Sequence, residues 1–474
     1  MSSSLITDQL ISSISMMRYW TQLFGAIGAG LGFLALGNAV GYATIALPKL
    51  TKEPNSSIRL NEDSGSWFAV IQWICGFLFA PFGGALSGKL GRRKMVLIFL
   101  PFVLAGWLII GLATNGLMLF LGRTTTAVFT AFYTSSIGVF IAETAHPSIR
   151  ERLVIIPAFF LGSGMLMVWM VGYFFDWRIV AFSASIPIIL TLVFLAFSHE
   201  TPFWLVENGQ EGLARKSLEF YRGKHCDVDD ELQEMIQKRD SKREHQDSTN
   251  FIWIVKRMCS MTFLKPFAGA GLGFIMNALS GSDILLVYMV SILEETGLDL
   301  NTTLLNLAPV IVGVVRLIGS LLSFVLIKTV SPKTLFNACQ VVGLLGFVTI
   351  GIFAYLHEYH TIPWYLKWTP LVSTVAVITK QAVGTIPVLN VLGNESYPTE
   401  LRTLAISVTE SGFLLIGAIV TKTFPDLKNG LGLPSAIGCY ALMHVLSIIW
   451  GYFFIKDNRG KSLVKVEEEI LEKD

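Results

Sequence analysis

Charge is scarce in this 474-residue chain: Asp, Glu, Lys and Arg supply 15% of it, against about a quarter in soluble globular domains. Hydrophobic residues fill 53%. A water-facing surface cannot be built at that ratio, so composition imposes a polytopic membrane protein. Cysteine is scarce as well: Cys75, Cys339 and Cys439 lie in apolar runs and Cys226 and Cys259 in a polar stretch, so no extracellular disulfide framework is indicated. The basic residues are dispersed and the net charge is only +2, which argues against a nucleic-acid partner. Metal-ligand spacing, a phosphate-binding glycine loop and a nucleophile elbow are all missing, so neither a cofactor, a metal nor an enzymatic activity is expected.

What the chain does have is long apolar runs. A bilayer core of about 30 Å needs about 20 apolar residues in a helix. Twelve runs of that size lie at 24–47, 66–88, 95–114, 117–141, 154–176, 179–198, 264–292, 304–327, 334–356, 368–393, 403–424 and 434–455. The Ser-rich start lacks a basic end and a short apolar segment with a cleavage site, so the first run is expected to be retained. The expected organisation is an all-α membrane protein: six spans in 1–198, a cytosolic linker with short helices at 199–263, six spans in 264–455 and a cytosolic tail at 456–474.

Orientation follows from basic residues. Lys89, Arg92, Arg93 and Lys94 crowd the second inter-span loop, and Lys and Arg near span ends stay on the cytoplasmic side. The same phase puts Arg150, Arg152, Lys328, Lys333, Arg402 and the basic 199–263 loop inside, with both termini. The sequons at Asn55 and Asn301 then fall outside, where glycosylation can occur, and a third at Asn394 falls inside.

Two segments repeat across the halves. "ETAHPSIRERL" closes the fourth span and "NESYPTELRTL" the tenth, each an acid, then Pro, then Arg; "HETPFWL" follows the sixth span and "KDNRGKSL" the twelfth. Tandem related bundles of this kind are how alternating-access transporters are built. With "GYATIALPKL", "SWFAVI", "GKLGRRK", "GRTTTAVFTAFYTSSIGVFIAE", "HETPFWLVENGQEGLARKSLEFYRGK", "ALSGSDILLVY", "NESYPTELR" and "VTKTF", the chain resembles the sugar porter family of the major facilitator superfamily, and within it the insect facilitated trehalose transporters.

The resemblance implies two pseudo-symmetric six-helix bundles, a central solute site and facilitated diffusion of a sugar, trehalose or a hexose, by rocking-bundle alternating access in the plasma membrane. It also implies gating ion pairs at the inner ends of the spans, drawn from Arg92, Arg93, Glu143, Arg150, Arg152, Glu395 and Arg402. The alternative for the basic residues is that they only fix topology. The pattern is incomplete: Gly88 stands where the family has an acid, and 328–333 has lost the C-terminal counterpart motif. Sugar-holding positions are altered too, with Asn277-Ala278 in place of two glutamines, Arg316 for an Asn, Asn390 for a Trp, Phe413-Leu414 for Asn-Trp and Ala158 for a Gln.

In their place stand Asp283, Arg316, Lys380 and Glu410 inside apolar spans, each costing about 2.5–3.5 kcal/mol at a helix centre. Either they present charge to a substrate, or they pair structurally, Asp283 with Arg316 and Lys380 with Glu410. Asn277, Asn390, Tyr288 and Trp73 are further cavity candidates. Gln72, Gln381, Asn38 and Asn306 could hold hydroxyls or bond between helices, and His444 reads as a packed residue. Proton-driven relatives carry an acid in the first span where this chain has Gly41-Tyr42-Ala43-Thr44, which favours uniport. A transporter of a non-sugar polar or anionic solute and a non-transporting nutrient sensor remain as alternative functions.

Overall fold

A backbone amide has no water to bond in hydrocarbon, so each apolar run must satisfy its hydrogen bonds internally, and here it does so as helix. The computed structural model describes residues 2–52, 58–146, 149–150, 153, 156–223, 227–244, 264, 267–298, 302–360, 362–397 and 402–455, with the backbone alone at 2–19, 242–244, 268, 302–304, 364, 394–395 and 402–404. Both sequon asparagines that were expected outside, Asn55 and Asn301, lie beyond the described residues, as does Arg152.

The first six spans are α1 (Ser2–Thr51), α2 (Glu62–Leu90), α3 (Arg92–Gly111), α4 (Gly116–Thr144), α5 (Ile156–Phe174) and α6 (Trp177–Ala196). Three shorter helices follow: α7 (Pro202–Glu207), α8 (Glu211–Arg222) and α9 (Asp229–Glu244). Asn61 and Asn115 cap α2 and α4 by accepting from the N–H groups of Ser64 and Met118 at 2.8 and 2.9 Å. Gly91 (φ 101°) makes the α2–α3 corner in a backbone conformation that side-chain-bearing residues rarely adopt. Helices α1 and α5 pack closely because Gly37 and Gly164 face the opposite backbone, each where a Cβ would collide with a carbonyl oxygen.

The second half differs from twelve uninterrupted runs. Among the described residues, eleven helices are long and apolar enough to cross a membrane. The seventh span, expected as one run at 264–292, is assembled from pieces: a π-turn at Phe267–Gly271, α10 (Leu272–Leu279), α11 (Ser282–Val287) and α12 (Met289–Glu295). The break lies at Ser280-Gly281, with Gly281 at φ 74° and its Cα against the Tyr440 ring. Apolar composition cannot reveal this break, because every residue from Gly281 to Val290 is buried by protein, which is the condition under which irregular backbone survives at membrane depth. The spans that follow are α13 (Thr302–Thr329), α14 (Pro332–Tyr359), α15 (Thr369–Lys380) continued through a π-turn at Gln381–Thr385 into α16 (Ile386–Ser396), α17 (Arg402–Leu431) and α18 (Leu433–Phe454).

Each half closes on itself, α1 against α4, α5 and α6, and α14 against α15 and α18; the halves meet along α2 with α17 and α5 with α13. Large apolar side chains such as Leu117, Phe174, Phe197, Ile318, Leu345 and Phe453 point outward, as a lipid-facing surface requires. Replacing Gly281 by Val should strain the break by about 1–3 kcal/mol and push Tyr440 aside. A lowered thermal midpoint in detergent, with Gly212→Ala in open space leaving it unchanged, is the expected result.

Candidate functional site

The linker-side ends of the first six spans carry a dense polar lattice. Arg92, the first residue of α3, bonds the Glu143 carboxylate at the end of α4 through Nη2 at 3.0 Å, with Glu207 of α7 at 3.9 Å. The other Glu143 oxygen accepts the Thr201 hydroxyl at 2.6 Å. Arg93 binds the end of α6, donating Nε to the Leu195 carbonyl at 2.6 Å and Nη2 to the Ala196 carbonyl at 2.9 Å. Arg92, Arg93 and Glu143 are therefore brought together, whereas Arg150 is exposed on the rim of a cavity of about 620 Å³ beside Glu143, His146 and Glu231. The side chains of Glu395 and Arg402 lie outside the described residues.

Sequence reading missed the group that organises this lattice. Glu200 accepts the backbone N–H groups of Arg93 and Lys94 at 2.9 and 3.1 Å and of Thr201 at 3.0 Å. A carboxylate from a distant segment thus caps α3, where the helix presents unbonded donors and positive dipole. Trp204 adds an indole N–H to the Gly88 carbonyl at 2.7 Å. Buried Arg222 donates to the Thr144 carbonyl at 2.8 Å and binds Glu231 through two nitrogens at 2.8 and 2.9 Å. The only available signal was the quoted "HETPFWL" motif, whose partners are about a hundred residues away. His199, in tilted ring contact with Phe220, is held below the usual imidazole range by burial and by the Arg93 guanidinium.

At mid-depth the charges are far less satisfied. Asp283, in the first turn after the break, accepts from Gln381 Nε2 at 3.5 Å, and its other oxygen has no partner among the described residues. Arg316 on α13 donates to Met165 Sδ of α5 at 2.9 Å. Lys380 reaches Gln340 Oε1 at 3.4 Å, an atom also 2.7 Å from His444 Nδ1. The expected structural pairs are corrected: among the described residues neither Asp283 with Arg316 nor Lys380 with Glu410 forms an ion pair, because amides and a thioether occupy the contact positions. Glu410, Asn390 and Asn306 are exposed, while among the described residues buried Asn277 and Asn38 have no partner for either amide atom. Trp73 packs on Phe413 where the two halves meet, and His444 is fully buried. A further residue that sequence reading left without a role is Arg123 of α4. It is buried under Tyr42 and Phe68 and donates to the Ala39 carbonyl at 2.8 Å.

The face opposite the linker helices holds a second cavity of about 650 Å³, lined from both halves by Lys52, Arg59, Glu62, Tyr288, Glu295 and Phe424 among others. Around it the halves are bridged by Lys52 with Glu294, Lys422 with Asp63 at 2.7 Å and Asn429 with Glu62 at 2.9 Å. Beneath it the Thr44 hydroxyl donates to the Leu286 carbonyl at 2.7 Å. On the linker face no ion pair crosses between the halves among the described residues. The cap on α3 gives a direct test: Glu200→Ala should cost about 1 kcal/mol and lower the thermal midpoint, with Glu200→Gln retaining part of the loss because one acceptor oxygen remains.

Comparison with known proteins places this geometry. A family profile described as "Sugar (and other) transporter" matches residues 23–470. Facilitated trehalose transporter Tret1 of Aedes aegypti is 30% identical over 456 residues, covering 95% of this chain and 55% of that protein. The Culex quinquefasciatus protein of the same name is 29% identical, covering 95% and 86%. Trehalose transporter 1 of Drosophila melanogaster is 29% identical, covering 95% and 52%. The chain thus spans about half the length of the Aedes and Drosophila relatives. Among solved structures, the inward open conformation of the xylose transporter XylE from E. coli aligns with a TM-score of 0.73 at 19% identity, over 94% of this chain and 98% of that one. XylE bound to 6-bromo-6-deoxy-D-glucose also gives 0.73, at 21% identity over 95% and 99%. The helix order, the two bundles and a family match running from residue 23 to 470 agree: this chain is a multi-pass membrane protein with the major facilitator fold and belongs to the sugar (and other) transporter family.

Proposed function

We propose that the chain is a plasma-membrane transporter that moves a sugar, with trehalose or a hexose as the first trial, by facilitated diffusion and alternating access between its two bundles. One observation carries most of the weight: the seventh span breaks at Gly281 and the tenth swells into a π-turn at Gln381, and among the described residues Asn277 and Asp283 beside the break, with Asn38 of the first span, have buried polar atoms without a partner. Such breaks are where transporters of this architecture hold their solutes. The binding set is Asn277, Asp283, Arg316 and Lys380, with Asn390 and Glu410 as exposed members. The linker face is assigned to the cytosol, with both termini, on the strength of Lys89, Arg92, Arg93 and Lys94. The bundles are assigned to 1–198 and 264–455, the linker to 199–263 and the tail to 456–474.

In this reading the bridges from Lys52 to Glu294, Asp63 to Lys422 and Glu62 to Asn429 close the outer mouth and break when the transporter faces outward. The Arg92–Glu143–Thr201 lattice ties α3, α4 and the linker into one rigid unit, and its C-terminal counterpart is assigned to Glu395 and Arg402. Uniport is supported by the lack of an acid in the apolar run 24–47, where Arg123 is met instead by the Ala39 carbonyl and two ring faces.

Purified protein in liposomes should take up radiolabelled trehalose or glucose saturably and to no more than equilibrium, with no response to a proton ionophore; uptake no faster than in empty liposomes removes the proposal. Exposed pairs are weak individually, so Asp63→Asn combined with Glu294→Gln should release about 1 kcal/mol of outer closure, about fivefold in population. A cysteine at Ser291, on the wall of the outer cavity, with Cys439 replaced by Ser, should then react about fivefold faster with an impermeant maleimide.

A further inference from the structure

We propose that the mid-depth site takes a solute bearing a carboxylate, a polyhydroxylated acid such as a hexuronate, with Arg316 as its counter-ion. This deepens the transport reading and rests on it. Arg316 is 9% exposed, and its one described hydrogen bond goes to a thioether, a weak acceptor, at 2.9 Å. Its guanidinium therefore keeps most of its five donors for something else. Lys380, 3% exposed, has among the described residues only the Gln340 oxygen at 3.4 Å, already engaged by His444 at 2.7 Å. Against these two cations stands one acid, Asp283, 9% exposed, which bonds neither of them. Glu410 is exposed on α17 and makes no ion pair among the described residues.

The formal balance of Asp283, Arg316 and Lys380 is one positive charge. An uncompensated charge shielded from water is costly and is retained where a ligand completes it. A neutral sugar can accept hydrogen bonds from the guanidinium yet leaves that charge standing. A monoanion cancels it, and a planar carboxylate fits the guanidinium fork with two parallel bonds. The rest of the site suits hydroxyls: among the described residues Asn277, 1% exposed, has both amide atoms unpartnered, and Asp283 has one unpartnered oxygen. A hydroxylated acid offers each of these groups a chemically matched partner. Since the thioether on Arg316 belongs to α5, a carboxylate that displaces Met165 replaces a contact between the halves, which couples binding to their relative movement.

The test uses the full chain, purified and reconstituted, with D-glucuronate, D-glucose, trehalose and inorganic phosphate as probes for uptake and for thermal shift. Wild-type protein should take up glucuronate about tenfold faster than glucose at equal concentration, a difference of about 1.4 kcal/mol. Arg316→Gln should lose that preference while Arg316→Lys keeps part of it. Trehalose or glucose uptake with glucuronate neither transported nor inhibitory overturns the carboxylate site and leaves the transport reading intact. A thermal shift from phosphate equal to that from glucuronate also overturns it, since any anion then serves. Uptake of neither class fails the transport reading, and if glucuronate then gives no thermal shift the site falls with it; a glucuronate shift lost in Arg316→Gln supports the site even there.

Discussion

Every amide at membrane depth must be hydrogen-bonded by protein, and the rest of this structure follows from where that rule is strained. One such place is Ser280-Gly281, where the seventh span stops and restarts. It is tolerated because Gly281 to Val290 are buried and because glycine adopts φ 74° without a steric penalty. The restart sets the positions of Asp283 and Leu286, and so determines both the mid-depth charge cluster and the carbonyl that meets the Thr44 hydroxyl of the other half.

The molecule treats charge in two ways. At the linker face Glu143, Glu200 and Arg222 each have several partners: Glu143 holds Arg92 and Thr201, Glu200 holds three backbone amides, and Arg222 holds Glu231 and a carbonyl. Such sites are rigid, and the linker helices are fastened by them to the first six spans. At mid-depth Asp283, Arg316 and Lys380 have one weak or long contact each. Rigid attachment suits a lever, and incomplete solvation suits a site that a solute finishes. The bridges at the opposite face are intermediate, exposed enough to form and break without a large desolvation cost.

Much of this was legible in the residues. Apolar runs about 20 residues long could only be spans, and the basic cluster at Lys89 to Lys94 marked one face. The four charged residues inside spans announced themselves by their cost. Their partners did not: the sequence suggested that acid and base would pair, and the structure gives Asp283 an amide and Arg316 a sulfur. Helix rotation decides which side chains meet, and rotation is set by packing between spans far apart in the chain. Glu200 was invisible for the same reason, since its acceptor role exists only once "HETPFWL" folds back under α3.

Sequence by itself determined the multi-pass membrane class, the existence of eleven of the twelve expected spans as long apolar helices and the family, because hydrophobic length and local motifs are properties of contiguous residues. Tertiary structure alone decided the break in the seventh span, the π-turn in the tenth, the cap from Glu200, the bridges on the face opposite the linker and, among the described residues, the lack of ion pairs at Asp283, Arg316 and Lys380. Each of these depends on distances between residues separated by tens to hundreds of positions, which only the packed helices fix.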